Sequence, residues 1–346
     1  MRAAFYRTFE GPIEIVDLPE PRPEADGVVV RVDATGLCRS DWHGWMGHDA
    51  DIALPHVPGH ELAGVITEIG AEVRDWRVGD RVTVPFVAGC GKCEACMSGN
   101  EQVCEYQFQP GFTAWGSFAE FVALRYADRN LVRIPEPIAS ETAAILGCRF
   151  ATAFRAVVDQ GRVAPEQWVA IHGCGGVGLA AVMIARAFDA RVVAIDPDGA
   201  ALDMARRLGA DEILGADGRP VTPQEVADAT AGGPHLSIDA IGSTRVVATS
   251  IESLRRRGRH VQVGLIPANL IEIPIGPVIA RELEILGSHG MQAHRYPQML
   301  DMIVDGRLEP HRLITNRISL SDVVDALPGM GGSRPPGVTV VDRLDV

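Results

Sequence analysis

The sequence predicts an α/β protein of two unlike parts, a mainly β part followed by a doubly wound parallel sheet. Three observations predict it. Up to about residue 145, short β-rich runs are broken by glycine and proline. From Trp168 onward, apolar strand-like runs alternate with stretches of helical spacing, the mark of a parallel sheet with helices on its faces. Between the first such strand and its helix lies the cluster Gly173-Cys174-Gly175-Gly176-Val177-Gly178. At 346 residues, two domains are the natural prior.

In the first part, residues 28–32, 62–69 and 81–85 read as strands bounded by turn residues such as Val78-Gly79-Asp80, with little helical periodicity. In the second, WVAIH runs into the glycine cluster and then into LAAVMIARAF with helical spacing. A second apolar run, 191–196, precedes a helix-like stretch ending at Gly209, and residues 237–241, 260–265 and 283–287 are further strand candidates. After about Gly287 the alternation stops and the chain is expected to return to the first part, with 328–337 as a glycine- and proline-rich loop.

Apolar residues make up 47% and charged residues 22%, a globular balance. A net charge of −13 argues against nucleic acid, which demands a basic face. No stretch approaches the ~20 apolar residues that cross a bilayer, and MRAAFYRTFEGP lacks the apolar run of a secretory signal. Clustered cysteines in such a chain fit metal ligation in a reducing, cytoplasmic compartment better than disulfides.

The glycines have the spacing of a dinucleotide-binding turn. Gly173 permits the tight bend, Gly175 lets the backbone approach a pyrophosphate, and Gly178 lets the helix pack on the strand. Gly176 and Val177 lie in the same turn, and the free N–H groups at the start of the following helix suit phosphate. Asp196 ends the next strand, where a carboxylate accepts from ribose hydroxyls and repels a 2′-phosphate. With Asp198 rather than a base nearby, NAD is favoured over NADP. Ile241 and Val263, in the later strand candidates, and Gly242, just after the first of these, complete the cofactor-binding candidates.

Six of the seven cysteines fall at positions that suit metal. Cys90, Cys93, Cys96 and Cys104 form a C-x2-C-x2-C-x7-C run, enough thiolates to close a structural zinc site. The acids Glu94, Glu101 and Glu105 among them, with Lys92 as the one base, argue against a nucleic-acid ribbon. Cys38, the His60 of Gly59-His60-Glu61, and Cys148 form a mixed sulfur and nitrogen set from distant parts of the chain, the pattern of a site that keeps one position open.

The motifs GLCRSDWH, GHE followed by LAGVITEIG, VGDRV, the cysteine quartet, GSFAEF, GC-x3-TA and GCGGVG together resemble the zinc-containing medium-chain alcohol dehydrogenases over nearly the whole length. The resemblance implies a GroES-like catalytic domain over 1–148 and 287–346 and a Rossmann domain over 149–286. It implies two Zn2+ per chain, the catalytic one held by Cys38, His60 and Cys148, with Glu61 as an alternative ligand and Asp41 orienting His60. Ser40 and His43 match the family's proton relay, Arg39 and Thr152 cofactor contacts, and Phe86 a pocket wall. The stretches 42–48, which holds Trp42, and 106–115 are expected to shape the rest of the pocket.

The implied reaction moves a hydride between a primary or secondary alcohol and NAD, or back to the aldehyde or ketone, in a homo-oligomer with a tetramer favoured over a dimer. A polyol- or threonine-type zinc dehydrogenase, or a silent NAD-binding structural protein, stays open. The ligand set disfavours a zinc-free quinone or enoyl reductase. The chain departs from the family at Val338, where many relatives carry a pyrophosphate-binding arginine, with Arg334 close by. It departs again at Ala201, where a base often follows the ribose acid. Cys174, inside the glycine turn, reads as a small loop residue and not a ligand.

Overall fold

The structure, a computed structural model, describes residues 1–266, 270–332 and 335–344. Strands β1 (Arg2–Tyr6) and β2 (Ile13–Asp17) pair antiparallel as a separate two-stranded sheet. Its main sheet is built on β3 (Val28–Leu37) and β4 (Glu61–Ile69), joined by β5 (Arg81–Thr83), β6 (Phe121–Leu124) and β7 (Val132–Arg133). The β-branched run of β3 is buried along most of its length, because β4 and β6 pair it from its two sides. Two register shifts bend β3 against β4, and the pair Gly36 and Glu61 closes the ladder. Cys38 and His60 therefore leave the sheet at the same end.

The second part holds β8 (Trp168–His172), β9 (Arg191–Ile195), β10 (Glu212–Leu214), β11 (Leu236–Asp239), β12 (Arg259–Gln262) and β13 (Glu284–Gly287). All are parallel, in the order β10-β9-β8-β11-β12-β13. The strand order reverses between β8 and β11, so a crevice opens at their carboxyl ends. The short apolar runs WVAIH and RVVAI are buried on both faces, as a helix-covered parallel sheet requires. The glycine turn behaves as its spacing requires. Gly173 sits at φ +94°, and a Cβ on Gly178 would lie 1.7 Å from the Gly173 carbonyl oxygen.

The chain then returns to the first sheet through β14 (Ile314–Ser319) and β15 (Val338–Arg343), the latter pairing with β3. Between β13 and β14, His289 and Gln292 already touch the first part, at Gln102 O (2.9 Å) and Gly99 O (3.0 Å). The helix Tyr296–Val304 first buries Tyr296, Met299, Leu300 and Met302 against the helical segment 140–160, and the Tyr296 hydroxyl donates to Leu146 O at 3.2 Å. One apolar core runs from Ala34 and Ala63 through Leu146, Phe150 and Phe154 to Leu179 and Val192, so the two sheets share it.

The first part also carries helices too short to show a period, at Arg39–Trp45, Glu94–Met97, Ala127–Asn130 and Ser140–Ala144. Within 328–337, Pro328–Gly331 forms a single helical turn, and Arg334 lies outside the described residues. No helix among the described residues is long and apolar enough to cross a membrane.

Candidate metal centres and cofactor cleft

Cys90, Cys93, Cys96 and Cys104 come together on one loop, their sulfurs all within 4.8 Å of one another. All four are free thiols, and Cys93 Sγ stands 3.7 Å from Cys104 Sγ, far beyond a disulfide bond. Backbone N–H groups turn onto the sulfurs, Lys92 N–H onto Cys90 at 3.4 Å and both Cys90 and Tyr106 N–H onto Cys104 at 3.3 Å. The Cys96 N–H donates to Cys93, whose thiol falls to about 6, whereas burial pushes the Cys96 and Cys104 thiols up. Four sulfurs this close ionise together only around a cation, and the donor set suits zinc. The buried Glu101 anchors the loop, paired with Arg129 and, at 3.5 Å, with His294.

The mixed set gathers from three places. Cys38 caps the amino end of the helix Arg39–Trp45, His60 precedes β4, and Cys148 lies in a wide π-type turn, Leu146–Phe150, inside the helical segment. Together with Glu61 they are all buried, with one ligand atom each within 4.8 Å of the others. His60 is fixed on one side only. Its Nδ1 lies 2.7 Å from Asp41 Oδ1, and Asp41 also accepts the Cys38 N–H at 3.0 Å and the Gly59 N–H at 3.1 Å. Its Nε2 is buried with no hydrogen-bond partner among the described residues.

An orphaned imidazole nitrogen facing two thiols is a poor arrangement for a dry core and a good one for a metal ion. The Cys148 thiol and the Arg149 guanidinium hold the Cys38 thiol well below its ordinary range against the push of burial, while Cys38 and burial push Cys148 up. Burial lowers His60, but Asp41 and Cys38 outweigh it and hold the ring well above the usual histidine value.

A cleft of about 420 Å³ runs from Cys38 and Cys148 past Arg39, Ser40 and His43 to Gly175, Gly176 and Val177, and on to Asp196, Ile241 and Val263. Ser40 Oγ lies 3.9 Å from Cys38 Sγ. His43, one helical turn on, contacts His48 at 2.9 Å between their Nδ1 atoms; burial, His48 and Arg39 lower its pKa. Asp196 directly follows β9, with one oxygen accepting the Cys174 N–H at 2.7 Å and the other the Asp198 N–H at 2.8 Å, which pins its carboxylate against the glycine turn.

Other candidates stand behind this wall. Gly173 and Gly178 shape the turn, and Gly242, at φ +84°, donates to Asp239 Oδ1 at 3.0 Å. Thr152 is buried, its hydroxyl without a partner among the described residues. Phe86 stands edge-on to His60 at 6.2 Å, and Trp42 lies beneath the Arg39 guanidinium and against Gly331. Val338 is buried in β15, and Ala201 and the buried Cys174 line the cleft.

Two residues escaped the sequence reading. Phe112, within the 106–115 stretch, packs on the His60 ring at 5.1 Å. Arg149, beside Cys148, is buried and bonded to Glu61, and its Cδ lies 2.6 Å from where a Cβ on Gly176 would stand. The signal for Arg149 was a lone charge inside the apolar run AAILGCRFATAF, since a buried charge demands a partner.

Residues 24–136 match the family model described as the alcohol dehydrogenase GroES-like domain, and 176–305 match the zinc-binding dehydrogenase model. An alcohol dehydrogenase of Geobacillus stearothermophilus is 33% identical over 332 residues, covering 94% of this chain and 96% of the relative. The chain belongs to the zinc-containing medium-chain alcohol dehydrogenase family.

Among solved members of the family, an NAD-dependent alcohol dehydrogenase superposes with a TM-score of 0.88 at 31% identity, covering 99% of each chain. A zinc-binding dehydrogenase of Sinorhizobium meliloti 1021 bound to NADP also superposes at 0.88, with 26% identity, covering 99% of this chain and 98% of the other. The GroES-like and Rossmann-like architecture expected from the sequence is thus shared with the family.

Proposed function

We propose that the chain is a zinc-dependent alcohol dehydrogenase that transfers a hydride reversibly between a primary or secondary alcohol and NAD. The observation that carries the reading is His60, its Nδ1 fixed by Asp41 and its Nε2, beside Cys38 and Cys148, buried without a hydrogen-bond partner among the described residues. Those three residues would hold the catalytic zinc, and Cys90, Cys93, Cys96 and Cys104 the structural one.

Zinc, when bound, acts as a Lewis acid that eases ionisation of an alcohol or polarises a carbonyl. The residues of the chain do the rest. Asp41 sets the His60 tautomer so that Nε2 faces inward. Ser40 Oγ, at the mouth of the site, accepts the alcohol proton and passes it towards His43 and solvent. Ser40 and His43 are three residues apart on the helix Arg39–Trp45, which puts them on one face. Phe86 and Phe112 wall the His60 side against water and hold the substrate carbon.

The amino end of the helix Gly176–Ala187 offers N–H groups to the cofactor phosphates. Asp196, oriented by two backbone N–H groups, accepts from the adenosine ribose and repels a 2′-phosphate, which favours NAD. In this reading the catalytic domain comprises 1–148 and 287–346 around the nucleotide domain, and the enzyme works as a cytoplasmic homotetramer.

The test is metal analysis together with NADH and NADPH absorbance on primary, secondary, aromatic and polyol substrates. Two zinc per chain and higher kcat/KM with NAD are expected. Active enzyme with one zinc or none, or a preference for NADP, overturns the corresponding part.

A further inference from the structure

Beside the mixed cluster lies a charge pair that three-ligand metal binding does not require. Glu61 has a carboxylate oxygen within 4.8 Å of the Cys38, His60 and Cys148 ligand atoms, so a bond to the same metal is within its reach. Its oxygens are engaged elsewhere. Oε1 accepts the Arg149 backbone N–H at 2.9 Å and Nε–H at 2.9 Å, and Oε2 accepts Nε–H at 3.0 Å and a close Nη2–H. Arg149 Nη1 donates to Leu37 O at 3.1 Å.

The pair fills the space beside two glycines. A Cβ on Gly36 would lie 2.2 Å from Glu61 Oε2 and 2.7 Å from Arg149 Nη2, and one on Gly176 would lie 2.6 Å from Arg149 Cδ. Glycine at both positions lets the guanidinium pass between β3 and the cofactor turn.

Charge arithmetic explains why the pair matters. Two thiolates balance a divalent cation, and Glu61 balances Arg149. Were Glu61 to turn onto the metal, three anions would face one dication. Arg149, 8% exposed, would be left buried with the Leu37 carbonyl as its one side-chain hydrogen-bond partner among the described residues. Removing one member of a buried ion pair leaves the other's desolvation uncompensated.

We propose that Arg149 is a positioning residue that holds Glu61 out of the coordination shell and so keeps one metal position exchangeable for the substrate oxygen. The proposal rests on reading Cys38, His60 and Cys148 as the metal site.

The test uses the full-length enzyme with cobalt exchanged into the catalytic site, titrated with imidazole and followed by its visible spectrum and by X-ray absorption. The wild type should show thiolate-to-cobalt bands that shift saturably with imidazole, because the free position accepts it. In Arg149→Ala the released carboxylate occupies that position. Imidazole affinity should then fall by about 10-fold or more, with one further oxygen in the first shell. Arg149→Ala combined with Glu61→Gln should restore both. Arg149→Lys, which keeps the buried charge but loses the fork, should fall between and serves if the alanine variant does not fold.

Wild-type imidazole affinity in Arg149→Ala and Arg149→Lys overturns the proposal, as does a weakened affinity that the second substitution fails to restore. If instead no band responds to imidazole and Cys38→Ser leaves the spectrum unchanged, the metal-site reading fails, and this inference with it.

Discussion

The two cysteine-bearing clusters are built in opposite ways. The four-thiol lobe takes all its ligand candidates from one loop, two of them only half-buried, and orients them with backbone N–H groups. The mixed site takes its candidates from three separate elements, buries all of them, and orients them with side chains, Asp41 on His60 and Arg149 on Glu61. A local loop can assemble round an ion by itself, so its donors need only proximity. A site that must leave room for a substrate needs its donors held by the rest of the fold. The difference teaches where each is vulnerable, the lobe through its ligands and the mixed site through their supports as well.

The sharpest way to break the comparison is to remove one sulfur from each cluster. Cys38→Ser should lower turnover by ~10³-fold or more, since Lewis-acid assistance is worth several kcal/mol, while the melting temperature changes little. Cys93→Ser should do the reverse. Zinc content should drop to about one per chain and stability by a few kcal/mol, at about 2–4 °C of melting temperature each. Zinc analysis, calorimetry and NADH absorbance on both variants read the contrast, and equal loss of stability in the two would erase it.

A step smaller, Ser40→Ala should slow alcohol oxidation by ~10²–10⁴-fold, the range of general-base assistance. His43→Gln, at the solvent end where water can stand in, should lose roughly 10-fold by the same reasoning, with part restored by small amine bases. Full activity of His43→Gln at every pH would leave that ring without a role in the relay.

The supports come next. Asp41→Asn should weaken metal binding at the mixed site by ~10–100-fold, read as faster zinc loss to a chelator. The lobe's zinc should leave at its ordinary rate, because Asp41 touches no part of it. Unchanged zinc retention at both sites would remove Asp41 from the centre.

The smallest expected effect is a shift of pH profile. Burial, with His48 and Arg39, lowers the His43 pKa against the pull of Cys38. The acidic limb of alcohol oxidation should therefore lie below the ~6.5 of a free histidine, because His43 accepts a proton only when neutral. His48→Ala removes a neighbouring imidazole that lowers the His43 pKa and opens the ring to water, and both changes raise it. The limb should move to higher pH, and a shift downward would show that another group controls it.

The donors themselves were legible in the sequence, because a thiol or an imidazole can be recognised by type and spacing alone. So was the glycine turn, since only glycine permits φ +94° at residue 173 and a helix packed as closely as Gly178 allows. The polar and apolar alternation likewise determined a β-rich first part and a parallel second sheet. The helical segment 140–160 was not legible, because its residues are buried on nearly every side and carry no amphipathic period.

What only the tertiary structure decided is which groups face one another. The register of β3 on β4 sets Gly36 opposite Glu61, and the π-type turn sets Arg149 beside both. Sequence fixes what each side chain can do at its own position. Which lone pairs a carboxylate spends on an arginine and which it leaves for a metal depends on contacts between residues 88 apart in the chain, and those exist only once both sheets have closed on their shared core.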